Sequence, residues 1–201
     1  MAGEYVTGAE LKEQLGIEAD DTTRDARADR AVRAASRAID RATGRLGRGF
    51  WLDDAPTART YQMDGRTVRS RTGDLLLVDE IGDTTGMLVE TGSGTSWSPI
   101  TGYETQPDNA LADGRPVTGL LRPGGTWGLA SSRVRVTARF GWPSVPDDIA
   151  EAAMIQASRL FKRADSPEGV MGSSEWGVVR LSRRDPDVWA LIEPYILHAF
   201  G

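Results

Sequence analysis

One histidine, His198, is available to the chain, and there is no cysteine. A Ser-His-Asp or Cys-His arrangement would depend on that one imidazole, and no nucleophile-elbow motif supports it. Without a thiol, neither disulfides nor thiolate metal sites can form. Carboxylates are the other groups that could do chemistry, and acidic pairs occur at Asp20-Asp21, Asp53-Asp54, Asp79-Glu80 and Asp147-Asp148. Two carboxyls work as acid and base when their environments push their pKa values apart. Two of these pairs precede predicted helices, where capping and the helix dipole account for them. Asp53-Asp54 falls in a loop, and Asp79-Glu80 is expected to end a strand before Gly82. Calcium-loop spacing is absent. Gly92-Ser93-Gly94 is too short for a dinucleotide site, and no loop ends in Gly-Lys-Ser/Thr. The sequence therefore predicts no catalytic, cofactor-binding or metal-ligating residue, and a chain that is not an enzyme.

The elements that frame these residues are helical at both ends of the sequence. Thr7 and Glu10 have capping-box spacing ahead of Leu11 and Leu15, and Gly16 can close this first short helix. A longer helix is predicted from about Asp21 or Thr22 to Thr43, ended by Gly44 and Gly47. Ala28, Ala31, Val32, Ala35, Ala38, Ile39 and Ala42 recur there at spacings of three and four. Its opposite face carries Arg30, Arg33, Arg37 and Arg41, with Asp29 and Asp40 interspersed. That face reads as a solvated, ion-paired surface, or as a DNA-facing or partner-facing stripe. A third helix is expected after Pro146, with Ile149, Ala152, Ala153, Met154, Ile155, Ala157, Leu160 and Phe161 on a broad apolar face packed on the alanine stripe. Asp185-Pro186 opens a last helix that Pro194 should kink or shorten.

The middle of the chain has a different character. Thr60–Met63, Leu75–Val78, Met87–Val89 and Arg133–Phe140 read as strands, separated by Asp64-Gly65, Asp113-Gly114 and Pro123-Gly124-Gly125. In the last of these strands Val134, Val136, Ala138 and Phe140 share one face. Trp97, Trp127 and Trp142 are expected in or beside the core, and Leu46–Leu52 where helix gives way to sheet. The fold class is thus α+β: a helical core from the N- and C-terminal segments, 1–52 and 144–201, with an inserted antiparallel β module, 53–143. A long loop at 164–184 departs from both periodicities, and such loops are usually functional. Val170, Trp176, Val178, Val179, Arg180 and Leu181 within it are the expected partner or subunit interface, with Val178–Leu181 a short strand able to pair with another subunit's edge.

The net charge of −5 over 201 residues argues against general nucleic-acid binding, which needs a basic footprint. Eight arginines lie between Arg24 and Arg48, but acids at Asp20, Asp21, Asp25, Asp29 and Asp40 offset much of that charge. Lys12 and Lys162 are the only lysines, as a GC-rich coding genome would produce. The first residues carry no signal-peptide pattern, and no apolar run approaches the roughly 20 residues that span a bilayer. A soluble protein without membrane contact is expected.

Two blocks of sequence resemble a known family. The first holds Val6-Thr7-Gly8-Ala9-Glu10-Leu11, Leu15-Gly16, then Ala34-Ala35-Ser36-Arg37-Ala38-Ile39-Asp40 and Ala42-Thr43-Gly44-Arg45. The second holds Val145-Pro146-Asp147-Asp148-Ile149, Gln156–Arg163, Asp165–Val170, Gly177–Arg180 and Arg184–Val188. Together they resemble the head–tail connector (adaptor) proteins of long-tailed bacteriophages, especially those infecting actinobacteria. The resemblance covers Val6–Arg48 and Val145–Tyr195 and leaves the β module unmatched. It implies a virion structural protein at the head–tail junction, assembled in the host cytoplasm. Copies would form a ring in the portal's twelve-fold symmetry, contacting portal, neighbouring copies and head-closure or tail proteins around the exiting DNA. The alternatives are a head-closure or tail-completion protein, a DNA-binding protein using the arginine-rich helix 22–43, or a small hydrolase using carboxylates of the β module.

Overall fold

The computed structural model describes residues 3–128, 132–163, 170–171, 179–180 and 185–197 of the 201-residue chain. It has two compact units, one formed by Met1–Gly49 with Val145–Gly201 and the other by Phe50–Ser144. The architecture is α+β: helices come from both ends of the sequence and an antiparallel sheet from the middle.

In the helical unit, α1 (Gly8–Gln14) opens on the expected capping box. Glu10 N–H donates to Thr7 Oγ1 at 3.2 Å, and Thr7 N–H donates to the Glu10 carboxylate at 2.7 Å. Gly16 follows at φ 66°, a left-handed conformation that glycine adopts without penalty. A 3₁₀ turn, Thr22–Arg24, leads into α2 (Asp25–Ala42), which packs on α1 and on α3 (Asp147–Arg163). Ala28, Ala31, Val32, Ala35 and Ile39 are buried on α2, and Ile149, Ala152, Ala153, Ala157 and Phe161 on α3. Alanines on both helices leave little side-chain bulk at the crossing.

Several side chains depart from expectation. Ala42 is exposed, whereas Ser36 and Asp40 are buried in its stead. Both receive the N-terminal segment: Tyr5 N–H donates to Ser36 Oγ at 3.2 Å, and Tyr5 O–H donates to Asp40. Leu46, expected to pack, is 69% exposed. Arginines hold the far ends together. Arg27 donates to the Phe161 carbonyl and lies 4.2 Å from that ring, and buried Arg45 donates to the Tyr195 carbonyl. The last helix, α4 (Pro186–Ile192), is capped by Asp185 and runs into a 3₁₀ turn, Glu193–Tyr195. Pro194 has no N–H to continue the α-helical ladder.

The sheet unit comprises β1 (Thr57–Gln62), β2 (Thr67–Arg69), β3 (Gly73–Ser93), β4 (Ser96–Pro99), β5 (Glu104–Gln106), β6 (Val117–Pro123) and β7 (Arg133–Phe140). The order is β1-β7-β3-β6-β5, with β2 and β4 also paired to β3. All pairings are antiparallel. β7 shows the expected alternation, with Val134, Val136, Ala138 and Phe140 buried. Leu76, Ile81, Val89, Leu120 and Trp127 complete much of the core.

The sequence separated Leu75–Val78 from Met87–Val89, but the structure joins them in one 21-residue strand. Register shifts at Leu77/Ile81, Ile81/Asp83 and Asp83/Leu88 let β3 bend and pair successively with β6 and β7. Asp79-Glu80 therefore lies inside a strand and does not end one. Of the three tryptophans, Trp127 is buried, while Trp97 and Trp142 are half-buried. Val170–Met171 (β8) and Val179–Arg180 (β9) form a two-stranded antiparallel pair, with Val170 opposite Arg180 and Met171 opposite Val179.

Candidate partner-facing surfaces

The four arginines singled out on α2 divide into two kinds. Arg37 is committed within the unit: its Nη2 donates to the Gly3 carbonyl at 2.6 Å, and its Nε lies 3.2 Å from Asp40 Oδ2. Arg33 reaches Glu4 at 3.5 Å and keeps its side chain 60% exposed. Arg30 and Arg41 are exposed and have no ion-pair partner among the described residues. An exposed pair such as Arg33–Glu4 contributes little and leaves the guanidinium available to a partner.

Asp40, which the sequence placed on the solvated face, anchors the N-terminal segment from inside. Burial pushes its pKa up, opposed by the Tyr5 hydrogen bond and the positive charges of Arg37, Arg45 and Arg41. A carboxyl whose folded pKa is raised binds its proton more readily in the fold. The resulting stabilisation is fully present below the unfolded pKa and is lost as pH rises through the folded value. Asp40→Asn removes this dependence. Urea unfolding of both proteins between about pH 7 and 4 should show wild type gaining on the variant as pH falls. A constant difference would contradict the buried-acid account.

On the sheet unit, the acidic pairs are tied to bases or to local backbone. Asp79 lies 3.0 Å from Arg59 and 3.5 Å from Arg66, and Asp53 lies 3.7 Å from Arg59. Glu80 accepts from Trp142 Nε1 at 3.0 Å. On the helical unit, Asp148 accepts from Tyr195 O–H at 2.8 Å, and Asp21 caps Thr23. Asp53 and Asp79 thus converge on the Arg59 guanidinium, whereas Glu80, Asp148 and Asp21 each have a partner of their own. Further along the sheet, the Arg135 guanidinium bonds Glu90 at 2.7 Å and covers the Trp97 ring at 4.5 Å. That bond holds the Glu90 carboxyl below its ordinary range and raises Arg135. Sequence reasoning did not reach these cross-strand ion pairs, because each joins residues far apart in the chain.

Within the expected interface loop, Val170, Val179 and Arg180 lie on β8 and β9. The strand expected over Val178–Leu181 is represented by Val179–Arg180, and its partner is β8 of the same chain. Trp176, Val178 and Leu181, like His198, lie outside the described residues. Among the described residues there is no group of three or more His, Asp or Glu side chains placed to hold a metal ion. None of the described helices is long and apolar enough to cross a membrane.

No family model matches this chain, and no curated protein matches it in sequence. Its fold is similar to a chain in the virion of a native gene transfer agent particle, with TM-score 0.52, 20% identity, and coverage of 97% of this chain and 91% of that one. A chain in the neck of an empty gene transfer agent particle aligns with TM-score 0.48 and 17% identity, again over 97% and 91%. One in the neck of a native particle gives 0.40 and 18% over 99% and 96%. The first of these establishes a shared fold and, at 20% identity, nothing finer.

Proposed function

We propose that the chain is a virion structural protein, a head–tail connector subunit of a phage-like particle that forms a ring between portal and tail and extends the DNA exit channel. The observation that carries this reading is the near end-to-end fold likeness to a chain of a gene transfer agent virion. The resemblance of Val6–Arg48 and Val145–Tyr195 to connector proteins supports it independently, because those blocks form the helical unit. A role in joining other proteins asks for surfaces and not for a reaction centre. The spare charge on α2 supplies such a surface. A net negative chain also suits a conduit that must let DNA pass without retaining it.

Deleting the gene in a particle-producing host should leave DNA-filled heads and separate tails, and supplying the chain in trans should restore joined particles. Joined, infective particles formed without the chain would overturn the proposal. Joined particles that leak DNA would instead move the chain to a head-closure position.

A further inference from the structure

A groove runs between α1 and α3 of the helical unit. It consists of two hollows, of 400 and 260 Å³, which share Gln14, Glu151 and Met154. Val6, Met154 and Ile155 give it an apolar floor. Half of its rim carries Glu10, Glu13, Asp147 and Glu151. None of these four carboxylates has an ion-pair partner among the described residues. At the other end Lys162 joins the pair formed by Arg159 and Asp185 at 2.8 Å.

The same unit carries the complementary surface. Exposed Arg30, Ala34 and Arg41 run along one side of α2, with exposed Arg33 beside them and Arg37, tied to Gly3 and Asp40, between. This stripe is about 16 Å long at 1.5 Å per residue, and the groove follows α3 from Asp147 to Lys162 for about 22 Å. The stripe lies off the α2 face packed on α3, and the groove lies off the α3 face packed on α2. The two patches share no residue.

We propose that the acidic half of this groove receives the arginine stripe of a second copy of the chain. Either patch meeting itself would set like charges together, which interfaces avoid. Their opposite charges suit each patch to the other, head to tail, the class of contact that forms a ring when its rotation closes. The apolar floor supplies burial beneath the ion pairs, where they are least screened by salt. The inference rests on the connector reading and names the surfaces that join neighbouring subunits.

The absence of native cysteine makes a direct test possible. Ala34→Cys marks the stripe and Ala150→Cys the groove, leaving every charge in place. A short bismaleimide should link the two variants only when they are mixed, on DNA-filled tailless heads or in concentrated solution. Glu13→Arg with Glu151→Arg in the groove chain, or Arg30→Glu with Arg41→Glu in the stripe chain, should each cut the yield about tenfold, and combining them should restore it. Binding to heads at fixed stoichiometry without this crosslink overturns the inference and leaves the connector reading standing. Crosslinking in solution without head binding does the reverse. Absence of the crosslink in both settings overturns the inference. So does a stripe reversal that abolishes salt-dependent DNA retention without changing the crosslink.

Discussion

Trp127→Ala should destabilise the sheet unit by about 3–5 kcal/mol, the range for truncating a large buried aromatic. Trp127 is 1% exposed, the largest fully buried side chain of the core. Its Nε1–H donates to two carbonyls, Asp74 at 3.0 Å and Leu120 at 3.1 Å, one on β3 and one on β6. Tyr103 packs against it with ring centroids 6.3 Å apart, and Arg122 lies 5.8 Å from the ring. Alanine leaves a cavity and strips both carbonyls of this donor. Trp127→Phe keeps most of the apolar volume and should cost less, about 1–3 kcal/mol, chiefly for leaving those acceptors unsatisfied. Amide hydrogen exchange in β3 and β6 reads the difference. Equal loss in both variants would show that the indole N–H dominates, and protection unchanged in Trp127→Ala would remove Trp127 from the core.

Gly141→Ala should be about as damaging. Gly141 has φ 116°, a region that side chains other than glycine rarely enter. A Cβ there would sit 1.7 Å from the Trp51 carbonyl oxygen. That obstruction is backbone and cannot rotate away. The segment is also tied on both sides: Gly141 N–H donates to Glu80 O at 2.8 Å, and Asp53 N–H donates to Phe140 O at 2.7 Å. Relieving the clash means losing at least one of these bonds as well as adopting a strained φ, a combined loss of about 3 kcal/mol or more. Insoluble expression, or a thermal midpoint lowered by many degrees, is the expected outcome. A soluble variant with wild-type hydrogen exchange in β1 and β7 would contradict the geometry.

How far such features were legible in the sequence varied with the range of the interactions. α1 and the start of α4 were readable because capping boxes and an Asp-Pro start are local signals. β7 was readable because a half-buried strand alternates, and its four buried residues were those expected. β3 was misread because Asp79-Glu80 and Gly82 look like a strand end. The structure keeps them within the strand through Arg59, Arg66 and Trp142, partners from distant parts of the chain. β2, β4, β5 and β6 were missed: Thr67–Arg69, Ser96–Pro99 and Glu104–Gln106 are short and largely polar, and Val117–Pro123 is broken by Gly119. Pairing directly or through β6 to the long β3, and not propensity, makes them strands.

The candidate surfaces were legible only in part. The α2 arginine stripe was visible from spacing, but its division into committed Arg37 and spare Arg30 and Arg41 depends on where Gly3 and Glu4 run. Burial of Asp40 was hidden for the same reason, since the buried polar positions are set by Tyr5 from outside the helix. The groove between α1 and α3 was not foreseen. Met154 and Ile155 were assigned to the core, whereas they remain half-buried at its floor.

The measurement that bears most directly on the connector reading is co-sedimentation of the purified chain with DNA-filled, tailless heads of the same particle, with the bound copies counted per head. Saturable binding at one ring of subunits per head, competed by tails or by a preassembled neck, is the result this reading requires. No binding, or binding in proportion to naked DNA and lost with salt, would contradict it and move the chain toward a nucleic-acid-binding role.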